Sequence, residues 1–138
     1  MIITTDTVTV HPPGQIIDHS MLKEAIGGWL TTGSFFHPIG GSSIIMYCDD
    51  EYIRKELPYN PLASALYNHG WEKHHPVLGT VVFTKTVAEG DSAELPKEEI
   101  VNLIGCVQGA FPEGTLEKLG EWLKDPKDTF EIKLLNAS

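Results

Sequence analysis

The sequence predicts an α+β fold, a mostly antiparallel sheet with short helices packed on one face. Three observations predict it. Strand-like and helix-like segments follow one another irregularly, without the strand–helix–strand succession that builds a parallel sheet. The segments are short and are separated by Gly, Pro, Asn and Asp, the residues that end regular structure. One nearly continuous apolar run, Val77 to Thr84, has the composition of a central strand covered on both faces.

Thr4 to Val10 is rich in β-branched residues and is stopped by Pro12-Pro13-Gly14, so it reads as a strand. Asp18 is placed to cap a helix in which Met21, Leu22, Ala25 and Ile26 recur at helical spacing, and Gly27-Gly28 ends it. Trp29 to Thr32 and Phe35 to His37 read as two strand pieces bent at Gly33. The turn His37-Pro38-Ile39-Gly40-Gly41 then leads into a buried strand from Ile44 to Cys48, which Asp49-Asp50-Glu51 terminates.

The next boundary is the best marked. Asn60 suits an N-cap, Pro61 suits the first helical position, and proline keeps the residue before it out of the helical region. Leu62, Ala63, Ala65 and Leu66 form the helix's apolar face, and Gly70 after His69 suits a left-handed stop. Trp71 to His75 is a polar connection, and Pro76 delivers the chain into the central strand. Glu89 to Glu94 reads as an acidic linker. Pro96 opens an amphipathic helix carrying Ile100, Val101, Leu103, Ile104 and Val107, with Glu98 and Glu99 at its positive end. Leu116, Leu119, Trp122 and Leu123 mark another helix, stopped at Asp125-Pro126, and Phe130 to Leu134 alternates as a last strand.

A chain of 138 residues is expected to form one domain, residues 1–138, with its own core. With 41% hydrophobic and 21% charged residues the composition is that of a soluble globular protein, and no apolar run approaches the roughly 18 residues of a membrane span. The opening MIITTDTVTV lacks the basic and apolar regions of a secretory signal, so the cytoplasm is the expected compartment. Cys48 and Cys106 fall in a strand and a helix and read as reduced structural residues.

The net charge of −9 arises from 19 acidic against 10 basic residues, and Arg54 is the one arginine. Nucleic-acid groove binders gain affinity from clustered Lys and Arg, whereas Lys23, Lys55, Lys73 and Lys85 are dispersed among carboxylates, which weighs against direct groove binding. An acidic DNA mimic is the converse reading. It needs an ordered negative face, and the acids here are scattered apart from the Asp49-Asp50-Glu51 triplet.

Several short motifs together resemble a known family. They are Gly27-Gly28-Trp29-Leu30, the strand ending Asp49-Asp50-Glu51, then Leu57-Pro58-x-Asn60-Pro61-x-Ala63, then Pro76-x-x-Gly79-Thr80-Val81-Val82. They resemble the phage and actinobacterial domain of unknown function numbered thirty-eight forty-six, from about Val8 to about Thr86. The resemblance implies a family-like core over residues 1–86, a helical extension with the last strand over residues 95–138, and an accessory role in phages or mobile elements. It implies no chemistry.

Catalytic motifs do not emerge. Ser34, Ser42, Ser43 and Ser64 lack the GxSxG context of a nucleophile, and neither cysteine lies in a setting that activates a thiolate. Gly40-Gly41-Ser42-Ser43 precedes a strand instead of a helix, so it is no phosphate-cradling loop. His69, His74 and His75, with Asp49 or its acidic neighbours, could supply imidazole and carboxylate ligands for a metal-assisted hydrolase, but their spacing matches no standard site, and an exposed loop is the simpler reading. No cofactor is expected.

Aromatic residues at element ends point instead to binding. Phe35, Phe36, Tyr59 and Trp71 could stack on a planar ligand, and Arg54, Lys55 and Lys85 could neutralise its phosphates, with Asn60 beside them. The expectation is a non-catalytic binding protein acting by occupancy, in counter-defence or host takeover. Its partner would be a phosphate-bearing small molecule, held in a pocket shared by a homo-oligomer, or a host protein that it blocks.

Overall fold

A computed structural model describes residues 1–33, 44–51, 54–68, 75–87, 90–107, 109, 111, 113–126 and 129–133. Its elements are β1 Ile2–Ile3, β2 Thr7–Val10, α1 His19–Ile26, β3 Leu30–Gly33, β4 Ile44–Asp49, α2 Pro61–Asn68, β5 Val81–Thr86, β6 Ser92–Ala93, α3 Lys97–Cys106, α4 Thr115–Lys124 and β7 Phe130–Lys133. The strands form one antiparallel sheet in the order β3-β4-β5-β1-β2-β7, with β6 also paired to β5. This is the α+β architecture expected from the sequence.

Strand β5 is the axis of the sheet. Lys85 pairs with Ile44 of β4 on one side and with Ala93 of β6 on the other, and β1 shares that second side through Ile2↔Val82 and Ile3↔Val81. Its apolar residues are consecutive, so both faces need cover. Val81 and Phe83 face the main core with Leu62 and Leu66 of α2, Ile100 and Leu103 of α3, and Leu119 and Trp122 of α4. Val82 faces the other way, against Ile17 and Leu22. Helices α2, α3 and α4 therefore share one face as expected, while α1 departs from that expectation and closes the opposite one.

Local chemistry sets the boundaries. The Asp18 carboxylate accepts from Met21 N at 2.9 Å to cap α1, and Gly27 ends that helix in the left-handed region at φ 79°. The expected strand from Thr4 to Val10 is shorter at its start, because Thr4 Oγ1 accepts from Asp6 N and Thr7 N and closes a turn between β1 and β2. Strand β5 likewise begins at Val81 and not at Val77. Gly79 takes φ 78°, which interrupts the extended run.

Two buried polar side chains finish what the short strands leave open. At the Ile3 end of β1, Asn60 Nδ2 donates to Ile3 O at 3.1 Å and to Gly79 O at 2.9 Å, while its Oδ1 accepts from Ala63 N at 3.1 Å and caps α2. At the other end, the Met1 ammonium donates to Phe83 O at 2.9 Å and to Glu94 Oε2 at 2.5 Å, with both charged groups fully buried. Glu94 also accepts from Leu95 N at 2.9 Å and, through Oε1, from His11 N at 2.7 Å. The sequence reading placed Glu94 in an acidic linker; it is a buried acceptor that joins β1, β2 and the entry to α3.

Asn60→Ala should therefore cost more than the roughly 1 kcal/mol of a lost cap, because two buried carbonyls also lose their donor. A loss of about 2–4 kcal/mol is expected in urea unfolding. A change within the range of an exposed cap would show that the contacts to Ile3 and Gly79 contribute nothing.

Candidate functional site

The acidic turn after β4 folds around a buried carboxylate. Asp49 is 2% exposed. Its Oδ2 accepts from Lys55 Nζ at 2.7 Å and its Oδ1 from Glu51 N at 2.8 Å, while Asp50 N donates to Trp29 O at 2.7 Å and fixes the turn to the start of β3. The bonded Lys55 ammonium holds the Asp49 carboxyl below the ordinary carboxylate range, with the Glu51 amide helping and burial opposing. Gly28 lies against this pair, and a Cβ there would collide with Asp49 Oδ2 and come within 2.7 Å of Lys55 Nζ.

These contacts rearrange the ligand-binding residues expected from the sequence. Lys55 is committed to Asp49, and Arg54, whose side chain is 82% exposed, pairs with Glu51 at 3.4 Å. Lys85 lies at the opposite end of β4, beside Ile44, and pairs with Glu99 of α3 at 2.5 Å. Asn60 is fully buried and spends its amide on the fold. Tyr59 is exposed and bridges to Leu78. The structure thus does not bring Arg54, Lys55 and Lys85 onto one anion. Phe36 and Trp71 lie outside the described residues, as do His69 and His74.

A cleft of about 330 Å³ opens between the β3–β4 end of the sheet and the C-terminal end of α2. Met46, Cys48 and Val77 form its buried lining. Thr31, Thr32, Asp50, Tyr67 and His75 supply polar groups at more exposed positions. Register explains the assembly: Thr31 is paired with Cys48 across β3 and β4, so the two share a face of the sheet. Asn68 positions the far wall, its side chain bonding the backbone of His75 at both N (2.6 Å) and O (2.8 Å), and buried Ser64 Oγ accepts from Val77 N at 2.9 Å.

Cys48 is not poised as a nucleophile. Burial pushes its thiol pKa up, and the charges of Asp49 and Asp50 push it further in the same direction. Of the metal-site residues weighed from the sequence, Asp50 and His75 line the same cleft, while Asp49 is turned toward Lys55. Among the described residues no three His, Cys, Asp or Glu side chains converge on one point. Sequence reasoning missed Thr31, Thr32 and Tyr67. Only the β3–β4 pairing could have signalled the threonines.

A family model described as Domain of unknown function (DUF3846) matches residues 2–107. The chain belongs to this family. The DUF3846 match runs through α3, beyond the stretch ending near Thr86 that carries the recognisable motifs, so α3 is part of the family unit. No match was found among curated proteins or among solved structures. No helix among the described residues is long and apolar enough to cross a membrane.

Asp49 gives a pH-dependent signature. Its folded pKa is depressed, so its contribution to stability is complete above the unfolded carboxylate value of about 3.9 and is lost as pH falls through the folded value. The melting-temperature gap between wild type and Asp49→Asn should be full at any pH above the unfolded carboxylate value and should close as the pH falls through the depressed folded value. The gap should be modest, because the Lys55 side chain is 36% exposed. A gap independent of pH would contradict the ion pair.

Proposed function

We propose that this chain is a non-catalytic binding protein whose site is the cleft between the β3–β4 end of the sheet and α2. The observation that carries the reading is the cleft's make-up. A buried apolar lining of Met46, Cys48 and Val77 is edged by hydrogen-bonding side chains, and the one thiol within it is held in its neutral form by burial and by neighbouring carboxylates. Such a site can hold and orient a small molecule but lacks an activated nucleophile among the described residues. The resemblance to a phage and mobile-element family supports an accessory role in a host cytoplasm, with counter-defence by sequestering a nucleotide-like ligand as one form of it and blockade of a host protein as the other.

Titration calorimetry against nucleosides and against linear and cyclic nucleotides tests this. Binding of at least one member of the panel, without turnover, is expected. It should be lost in Thr31→Phe, which fills the cleft, and kept in Arg54→Ala, whose side chain projects from the turn. Loss in Arg54→Ala alone would move the site to the turn. Silence across the panel, with a host protein recovered in pulldown, would replace ligand holding by protein blocking.

A metal-assisted hydrolase remains the second reading because Asp50 and His75 share the cleft. Stoichiometric metal on elemental analysis, with a melting temperature lowered by chelator, would favour it. The binding reading expects no chelator effect.

A further inference from the structure

Resting on the cleft assignment above, we infer that the cleft selects its ligand by charge: it takes a compact planar molecule that is cationic or rich in N–H donors and rejects anions, with Asp50 as the specificity-determining carboxylate. Among the described residues the lining supplies a carboxylate without a Lys or Arg to balance it. Asp50 contributes that carboxylate and Thr31, which shares its face of the sheet with Cys48, a hydroxyl; His75 is the nitrogen-bearing side chain among the described lining residues.

The adjacent carboxylates divide the labour. Asp49 is buried and its charge is balanced by Lys55 at 2.7 Å. Asp50 is exposed, its backbone N–H is tied to Trp29 O, and no cation among the described residues pairs with its side chain. It therefore presents an uncompensated negative charge from a fixed turn. Two described cations that an anionic ligand could have used are paired elsewhere, Arg54 with Glu51 and Lys85 with Glu99.

The field reaches the buried wall. The Cys48 thiol, on the cleft lining, feels both carboxylates as an added barrier to ionising. A phosphate placed in the same space would meet the same repulsion, and the chain's overall charge of −9 acts in the same sense at longer range. A planar cation could instead lie against Met46 and Val77 while donating to Asp50.

A shape-matched series separates charge from fit: benzamidine as cation, benzamide as neutral form and benzoate as anion. Binding is read from amide NMR shifts at Thr31, Thr32, Asp50, Val77 and Leu78. Benzamidine should bind tightest and benzoate weakest, and Asp50→Asn should weaken benzamidine by about tenfold, to the level of benzamide. Asp50 is exposed, so the variant should fold, which its melting temperature checks. Benzoate binding as well as benzamidine, or an order unchanged in Asp50→Asn, would overturn the charge inference. Tighter binding of a nucleoside 5′-phosphate than of its nucleoside at these amides would leave the cleft standing and overturn the charge inference alone. Absence of shifts with the whole series and with the nucleosides would overturn both.

Discussion

One inner strand of this sheet, β1, is two residues long, and the fold depends on how the ends of that strand are satisfied. β1 lies between β5 and β2, yet Ile2–Ile3 is too short to pair all the backbone groups around it. Glu94 completes one end and Asn60 the other. Each does so from a distant part of the chain, so the carboxylate fixes the entry to α3 against β1 and β2, and the amide fixes α2 and the Gly79 turn against Ile3. Buried groups of this kind are costly when half-satisfied and specifying when complete. Here Asn60 uses both ends of its amide, and Glu94 uses both oxygens.

The cleft follows from that frame. With α2 started at Asn60 and laid over Phe83 and Met46, its C-terminal end overhangs β4, and Ser64 and Asn68 pull the backbone of Val77 and His75 alongside. The opposite wall comes from the pairing of β3 with β4. The acidic turn then closes one end through its bond to Trp29, with one carboxylate neutralised by Lys55 and the next one exposed. Frame and site are thus one construction, in which helix position sets the gap and turn chemistry sets its charge.

Much of the frame was legible in the sequence because its signals are local. Asp18, Gly27, Asn60-Pro61 and Asp125-Pro126 each carry a stop or start within a few residues, and α1, α2 and α4 appear where those residues place them. The alternation of Phe130 to Lys133 likewise gave β7. The site was less legible because it is made by pairing. Arg54, Lys55 and Lys85 look like an anion cluster in one dimension, and only the register, which sets Lys85 beside Ile44 and Lys55 against Asp49, separates them. Thr31 and Thr32 carry no signal of their own. Glu94 was misread for a related reason: a glutamate among Glu, Gly, Asp and Ser reads as solvated until the β6 pairing buries it.

In the proposed reading the cleft holds a small molecule without converting it. Native mass spectrometry of the protein purified gently from its own cells tests that directly, since it reports bound molecule, metal and subunit number together. The account predicts a chain carrying a small, acid-releasable organic mass that leaves chemically unchanged. A bare chain in stoichiometric complex with a second polypeptide, or one carrying a metal and a cleaved product, would contradict it.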